Sequence, residues 1–404
     1  MGNCKFAFTS LLLYCFGAHF ITKMKYMPEG VVSYGLSLLL CLIFVSCIKY
    51  SNLKNVSKGA SAWIPYILIT IIGYTVCGYY RLTALWIVAL IIIGISQNYS
   101  PAINLPIKII VWFGLLQVFG ELFQLFFPGQ YSSVISSYFG SDFRMFGSGL
   151  QGFTEQTAAL ASSLLLLMGC LIYYKIEKKW VKLLVTIVIV ALIFMSGKRS
   201  FSVMAILIPV AVNVLSQKNN TKAVFALSLS VLFGVFFINY FIANAEQYQD
   251  IPGMRKIAGI FSETRSTEDI MNGRETLWTA ALEGFDENPI LGIGAGRFME
   301  WSGLPTNAHN AYLQVLCEQG IIGFFLFVVP LIVCLIQTIL LIKKLPNHAY
   351  GEKALKYSLF LQLFFIIYAF SGNPTRNEYC FLLYFVGIGI MLDCQYKYNH
   401  RLQL

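Results

Sequence analysis

The sequence from Asn272 to Gly323 reads NGRETLWTAALEGFDENPILGIGAGRFMEWSGLPTNAHNAYLQVLCEQGIIG. Polar and ionisable side chains gather in this stretch, whereas most of the surrounding sequence is apolar. Its charged and ionisable residues include Arg274, Glu275, Asp286, Glu287, Arg297, Glu300, His309 and Glu318. The stretch ends by running into an apolar helix. Arginines and a histidine kept together at one membrane face indicate that an anion is handled there.

The composition predicts a membrane protein. Of the 404 residues, 57% are hydrophobic and only 12% are charged, whereas soluble domains carry about 25% charged residues. Apolar runs of about 20 residues recur along the chain, as transmembrane helices require. We therefore expect an all-α polytopic fold in which residues 1–404 form one integral membrane domain. The net charge of +10 does not indicate nucleic acid, because the lysines lie in short loops between apolar runs, where they set topology.

Hydropathy predicts about twelve transmembrane helices. The predicted spans are 5–22, 30–48, 62–80, 83–97, 105–127, 156–174, 181–197, 200–216, 223–244, 312–342, 357–372 and 379–393. The tenth region is long enough to include a lead-in before the span proper. Between the ninth and tenth spans lies the longest connection, residues 245–311, which we expect to be a large extracytoplasmic loop. Glu121, in the fifth span with Gln117, is expected to face the bundle interior.

The basic residues orient the predicted spans. With both termini in the cytoplasm, almost every lysine cluster falls inside, as the positive-inside rule requires. Eight arginines fall outside: Arg81, Arg144, Arg199, Arg255, Arg265, Arg274, Arg297 and Arg376. Lysine would satisfy topology equally well, but arginine adds a planar fork of donors that grips phosphate or carboxylate at two points. These arginines therefore either bind an anionic ligand or pair with acidic residues of the same loops.

Two local structures are expected inside the large loop. The segment TEDIMNGRETLWTAALEGF has helical spacing, with Ile270, Leu277, Ala281, Leu282 and Phe285 on one face. Asn288-Pro289 ends that helix. The glycines of GIGAG that follow fit neither the dinucleotide-binding spacing nor the phosphate-binding loop. They predict a tight turn that brings Arg297 near the membrane face.

His309 is the most informative single residue. It stands where the loop enters a helix, beside Asn310 and ahead of Glu318. Free imidazole has a pKa of about 6.5, which suits a general base, although a lone histidine in such a position can equally be structural. Neither HExxH nor a cluster of Cys and His with zinc spacing accompanies it, so we expect neither a metal nor a cofactor. Arg199, in SGKRS between two spans, is either a ligand contact or a snorkelling anchor.

These residues carry a family resemblance. The set formed by NGRETLW, ENPILGIGAGRF and AHNAYLQVLCEQGIIG resembles the O-antigen ligase and O-antigen polymerase superfamily of bacterial membrane glycosyltransferases. The close likeness covers about 50 residues, and Arg199 in SGKRS extends it loosely. The segment RMFGSGLQGFTEQTAALA, led by Arg144, is similar to an arginine-led segment of the family.

The resemblance implies a function. Such enzymes take a glycan linked to undecaprenyl pyrophosphate at the outer face of the bacterial cytoplasmic membrane and transfer it, without a metal, to an acceptor hydroxyl. Carried over, Arg199 and Arg274 would hold the pyrophosphate and His309 would take the proton of the acceptor hydroxyl. Arg144, Arg297, Asn310 and Glu318 would support them. Ligation to a glycan or lipid-linked acceptor and polymerisation of an O-antigen or capsular polysaccharide both remain open. A transporter or flippase of lipid-linked saccharides is the rival of another class, although transporters place charges near the midplane and often show repeated halves.

Overall fold

The described part of the chain is helical. The computed structural model describes residues 58–96, 101–139, 149–154, 157–219, 274–345 and 350–399, with isolated positions between 221 and 240. No β-strand occurs within these ranges. The first two predicted spans, most of the ninth, residues 245–273 of the large loop and Arg144 lie outside them. The helices are α1 (Lys58–Ser61), α2 (Trp63–Val76), α3 (Tyr80–Ser96), α4 (Pro101–Phe126), α5 (Pro128–Phe139), α6 (Thr157–Cys170), α7 (Lys179–Met195), α8 (Arg199–Leu215), α9 (Arg274–Glu287), α10 (Phe298–Ser302), α11 (Ala311–Lys344), α12 (Tyr350–Tyr368) and α13 (Glu378–Asn399).

A helix overlaps each predicted span that falls on described residues. Four helices are long and apolar enough to cross a membrane, namely Ile107–Phe126, Thr157–Lys175, Ala311–Lys344 and Tyr379–Asn399. Three shorter apolar helices accompany them, Trp63–Val76, Leu82–Ile93 and Arg199–Leu215. The chain is thus an all-α membrane protein, while the total of twelve spans and the side of each loop stay predictions.

One helix was not predicted. Residues 128–155 read as an extramembrane segment, yet Pro128–Phe139 is helical. Pro128 at its first position is compatible with a helix start, because the missing N–H has no intrahelical partner there anyway. Serines and a glutamine replace apolar residues along it, which is why hydropathy gave no signal.

The chain divides into two compact units. In the first, which includes α2, α3 and α9 to α13, an aromatic cluster surrounds Trp63. Its ring centroid lies between 5.4 and 6.3 Å from those of five others, which belong to Tyr66, Trp86, Phe327, Tyr384 and Phe385. Such pairs contribute about 0.5–1.5 kcal/mol each beyond area burial. In a bilayer, where packing rather than water exclusion associates helices, this cluster joins four helices.

In the second unit, α6 is the central helix, because all but one of its residues are buried. The irregular segment 149–154 lies against α4, where two glutamine side chains accept hydrogen bonds from its amides. The Oε1 of Gln124 accepts from the amides of Gln151 at 2.7 Å and Gly152 at 3.1 Å, and Gln117 accepts from Phe153 at 3.2 Å. Buried irregular backbone needs such partners. Glu121 is fully buried, as predicted.

Candidate active site

A break at Gly320 bends α11 into two parts. Gly320 has φ 62° and ψ −167° inside the helix. The ring centroids of Tyr312 and Phe327 are only 5.9 Å apart, although a straight helix would separate the two residues by about 22 Å. Residues 311–319, the lead-in helix, therefore run at a steep angle to the span that follows. This realises the predicted lead-in, whereas the sharp break itself was not predicted.

The glycine-rich turn docks onto this break. The amides of Ile293 and Gly294 donate to the carbonyls of Cys317 and Glu318, both at 3.0 Å, and Ile321 donates to Pro289 at 2.8 Å. A Cβ on Gly292 would lie 2.4 Å from the backbone of the lead-in helix, so only glycine permits this approach. The turn thus satisfies backbone groups that the helix break leaves without intrahelical partners.

The side chain of Arg297 in this turn pairs with a neighbouring carboxylate. Arg297 is exposed and its Nε lies 3.3 Å from the Glu300 carboxylate. Hydrogen bonding to Glu300 and its negative charge raise the pKa of Arg297. The pair is a solvent-exposed ion pair, which contributes little to stability. The turn contributes two backbone amides to the site, those of the residues on either side of Arg297.

Those two amides bind Glu318, the centre of a buried network. The Glu318 carboxylate accepts from the amides of Gly296 at 2.8 Å and Phe298 at 3.4 Å. It also accepts from the Gln314 side chain and, at 2.7 Å, from Nη2 of Arg376. Glu318 is 2% exposed, and a buried carboxylate without such donors would cost several kcal/mol. Glu318 was predicted as a supporting residue, and its contacts are those of a structural centre.

Arg376 is the partner that sequence reasoning did not single out. It lies between α12 and α13, where it was counted only as one of the extracytoplasmic arginines. Burial alone would lower the pKa of Arg376, but the charge of Glu318, with Tyr74 and Tyr79, outweighs burial and raises that pKa. Arg376 is therefore the charge partner of Glu318.

Gln314 links the Glu318 network to the loop that carries His309. Its Nε2 donates to Glu318 and, at 3.2 Å, to Oδ1 of Asn307. Its Oε1 accepts from the amide of Ala308 at 2.9 Å. The carbonyl of Ala308 in turn accepts from the Trp278 indole at 3.1 Å. The residue before His309 is thus hydrogen-bonded through both its amide and its carbonyl.

The residue that follows His309 is also fixed by hydrogen bonds. Asn310 caps the lead-in helix, since its Oδ1 accepts from the amides of Tyr312 at 3.1 Å and Leu313 at 3.2 Å. The amide of Ala311 donates to the carbonyl of Ala369 at 2.8 Å. Asn310, predicted as a supporting residue, acts here as a helix cap that also fixes the entry of the chain.

His309 itself adopts a left-handed conformation with φ 51°, unlike every other non-glycine residue in the described ranges. Such a conformation costs on the order of 1–2 kcal/mol for an L residue and persists where the surroundings over-determine it. The bonds to Ala308, Asn310 and Ala311 supply that constraint. The His309 side chain is exposed, so the fixed backbone presents an accessible imidazole.

Arg274 lies beside this loop. It begins α9, one helical turn before Trp278, whose indole holds the carbonyl of Ala308; residues four apart share a helix face. The guanidinium is half-buried, and burial lowers its pKa while Tyr368 opposes that shift. Within the described ranges, no carboxylate pairs with Arg274. A partly buried cation without a counter-charge favours an anion.

The remaining predicted residues are not brought to this loop by any described contact. Arg199 is half-buried at the first position of α8, in the second unit. Arg144 lies outside the described residues. Across the ranges that the structure describes, no group of three or more His, Cys, Asp or Glu residues is arranged to hold a metal ion.

The burial of residues along α9 agrees only in part with the apolar face predicted for it. Leu277 and Ala281 are buried, whereas Leu282, which the helical spacing places on the same face, is 46% exposed. Gly284 packs closely instead, because a Cβ there would lie 2.6 Å from the Cys317 sulfur. The close approach of α9 to the lead-in helix thus depends on a glycine, which hydrophobic spacing does not detect.

Comparison with known families bears on this site directly. A sequence model of the family described as O-antigen ligase matches residues 184–328. The matched segment contains Arg199, Arg274, His309 and Glu318, whereas Arg144 and Arg376 lie outside it. The match supports the resemblance of this segment to the O-antigen ligase superfamily. A search of curated proteins finds no match.

Proposed function

We propose that this protein is a glycosyltransferase of the O-antigen ligase type. It moves a glycan from an undecaprenyl-pyrophosphate donor to an acceptor hydroxyl at the outer face of the bacterial cytoplasmic membrane. The observation that carries the proposal is the half-buried guanidinium of Arg274, which pairs with no carboxylate of the described residues. It lies one helical turn from Trp278, whose indole binds the loop that carries the constrained, exposed His309. The family match supports the reaction class, and the apolar helices support the membrane setting.

His309 acts as the general base. It takes the proton of the acceptor hydroxyl as the oxygen attacks the anomeric carbon of the donor. The bond from that carbon to the pyrophosphate oxygen breaks, and the pyrophosphate leaves with the electron pair. A positioned base of this kind contributes about 10²–10⁴-fold to the rate.

Arg274 stabilises the leaving group. Negative charge grows on the pyrophosphate oxygen as the bond breaks, and a fixed guanidinium in a partly dehydrated place offsets it without reorganisation. Two parallel N–H donors also fix the orientation of the phosphate. Arg199 is proposed as a second contact to the pyrophosphate. Because the leaving group needs no proton, a single base suffices, unlike the carboxylate pair of glycosidases.

Gln314 and Asn310 position His309, and they do not react. Gln314 binds the amide of Ala308 and Asn310 caps the helix that follows. Glu318, which is paired with Arg376, holds the Gln314 side chain in turn.

The test is a transfer assay with purified protein in detergent. The protein is incubated with an undecaprenyl-pyrophosphate oligosaccharide, first alone and then with lipid A core, and products are read by mass. A single adduct on lipid A core, absent from the His309→Ala variant, supports the ligase. A ladder of lengthened donor without lipid A core would assign polymerisation instead. No product with either acceptor, with movement of the donor across liposomes, would favour a transporter.

A parallel incubation with EDTA tests the requirement for metal. Neither His309 nor Arg274 needs a divalent ion in the proposed reaction, so the rate should not change. Loss of product that added Mg²⁺ restores would contradict this part of the proposal.

A further inference from the structure

An exposed apolar stripe runs along α11 after its break. Every member is at least 44% exposed: Ile322, Phe325, Val329, Ile332, Ile336 and Leu340. Their spacing of three and four residues places them on one face of the helix. The stripe is about 27 Å long at 1.5 Å per residue, close to the roughly 30 Å of a bilayer hydrocarbon core. Lys343 and Lys344 follow it and are exposed, as expected where a span leaves the lipid.

The stripe does not stop at Gly320, because a second segment continues it. Ile290 is 62% exposed and Leu291 is 73% exposed. Both belong to the turn whose Pro289 carbonyl accepts from Ile321 at 2.8 Å. A Cβ on Gly320 would lie 2.3 Å from the Ile290 carbonyl. The backbone of this turn is therefore packed on the first residues of the span, while its two largest apolar side chains point away from protein.

Neighbouring residues of the same turn behave differently. Ala295 and Phe298, a few positions further on, are buried, and Phe298 belongs to a cluster that includes Cys317 of the lead-in helix. Ile290 and Leu291 are thus the exposed apolar tip of the turn, next to Ile322. Two adjacent large apolar side chains at the end of a lipid-length stripe match the lipid-facing surface and not an aqueous one.

We propose that Ile290 and Leu291 insert into the bilayer, where acyl chains of the adjacent leaflet cover them. The tip then anchors the glycine-rich turn at the boundary between hydrocarbon and headgroups. Because the turn binds Glu318 through the amides of Gly296 and Phe298, the anchor also sets the depth of the lead-in helix. The anion-binding side of the site is thereby held near the level of lipid phosphates. The insertion is independent of which reaction the site performs.

Photo-crosslinking tests the insertion without any activity assay. The photoreactive residue p-benzoylphenylalanine is placed singly at positions 290 and 291 in the full-length protein, reconstituted in vesicles of phosphatidylethanolamine and phosphatidylglycerol. Position 329, within the stripe, is the lipid-facing control. Position 279, an exposed threonine of α9, is the water-facing control. After irradiation, lipid adducts are quantified by mass spectrometry of the peptides.

We expect positions 290 and 291 to give lipid adducts within about threefold of position 329 and about tenfold above position 279. All four substitutions are at exposed positions, and an unchanged melting temperature in detergent checks the fold of each variant. Adduct yields at 290 and 291 equal to that at 279 would overturn the proposal. A crosslinked dimer in place of lipid adducts would also overturn it, because a second copy of the chain would then cover the tip.

Discussion

The site has two halves that use polar atoms in opposite ways. Around Glu318, the Gln314 amide and the Arg376 guanidinium both donate to one buried carboxylate. Around His309, the imidazole is exposed and the neighbouring guanidinium of Arg274 has no carboxylate partner in the described ranges. The surroundings of Glu318 resemble a protein core, whereas those of His309 resemble a ligand-binding site. We infer that stability resides in one half and chemistry in the other.

The largest expected effect comes from the reactive half. His309→Ala should lower the rate of glycan transfer by about 10²–10⁴-fold, because the acceptor hydroxyl loses its base. The melting temperature should change little, since the side chain of His309 is exposed and alanine bears a similar left-handed backbone cost. Turnover and thermal unfolding are measured on the same preparation. Thr306→Ala, at an exposed position of the same loop, is the matched control and should keep both.

The scaffold half should show the reverse pattern. Glu318→Ala leaves Arg376 buried without its counter-charge and should cost about 3–5 kcal/mol in the free energy of unfolding. Activity should fall with the folded fraction. If the variant unfolds fully in detergent, Arg376→Gln offers a milder test of the same pair.

The double variant Glu318→Gln with Arg376→Gln sharpens this point. Replacing both charges by amides removes the unpaired ion, so the pair should be more stable than either single variant. Additive losses would mean that the two residues do not stabilise one another, and the proposed scaffold would lose its centre.

A smaller effect separates charge from geometry at Arg274. Arg274→Lys keeps the positive charge but loses the planar fork, so we expect about a tenfold loss of transfer rate with no loss of stability. Arg297→Lys is the control, because Arg297 is an exposed residue paired with Glu300. If the lysine variant were as fast as the wild type, Arg274 would contribute only its positive charge and not the geometry of its guanidinium.

The smallest effect is expected at the other buried carboxyl. Glu121 is also fully buried, but neither of its oxygens has a hydrogen-bond partner among the described residues. Glu121→Gln replaces it with a neutral group of nearly the same shape, so the free energy of unfolding should change by less than about 1 kcal/mol or rise. Destabilisation equal to that of Glu318→Ala would show that burial alone, and not hydrogen bonding, determines the importance of these glutamates.

Much of the fold could be predicted from the sequence, and the reasons for the misses are physical. Long apolar runs predict helices because a bilayer leaves few alternatives for the backbone. The helix Pro128–Phe139 was not predicted because its serines give no hydropathy signal. The break at Gly320 escaped because CEQGIIG is compatible with a continuous helix, and the left-handed φ arises from docking of a turn some 30 residues earlier.

The site could be predicted only in its local parts. Arg274, His309, Asn310 and Glu318 lie within one recognisable stretch, and hydrogen bonds of Gln314 and Trp278 join Glu318 and the helix of Arg274 to the His309 loop. Arg376 is 58 residues from Glu318, and no short-range pattern marks that pair. The role of Glu318 also depended on structure, because a carboxylate near a histidine could serve as its orienter or, as here, hold the backbone around it.

The central claim is that Arg274 binds the pyrophosphate while His309 performs chemistry, and donor binding tests it most directly. The dissociation constant of undecaprenyl pyrophosphate is measured for the wild type, Arg274→Ala and His309→Ala in the same detergent. We expect His309→Ala to bind like the wild type and Arg274→Ala to bind about tenfold or more weakly, the loss of a charge-assisted pair of about 1.4 kcal/mol or more. Wild-type affinity in Arg274→Ala would contradict the account, because the unpaired guanidinium would then have no part in holding the donor.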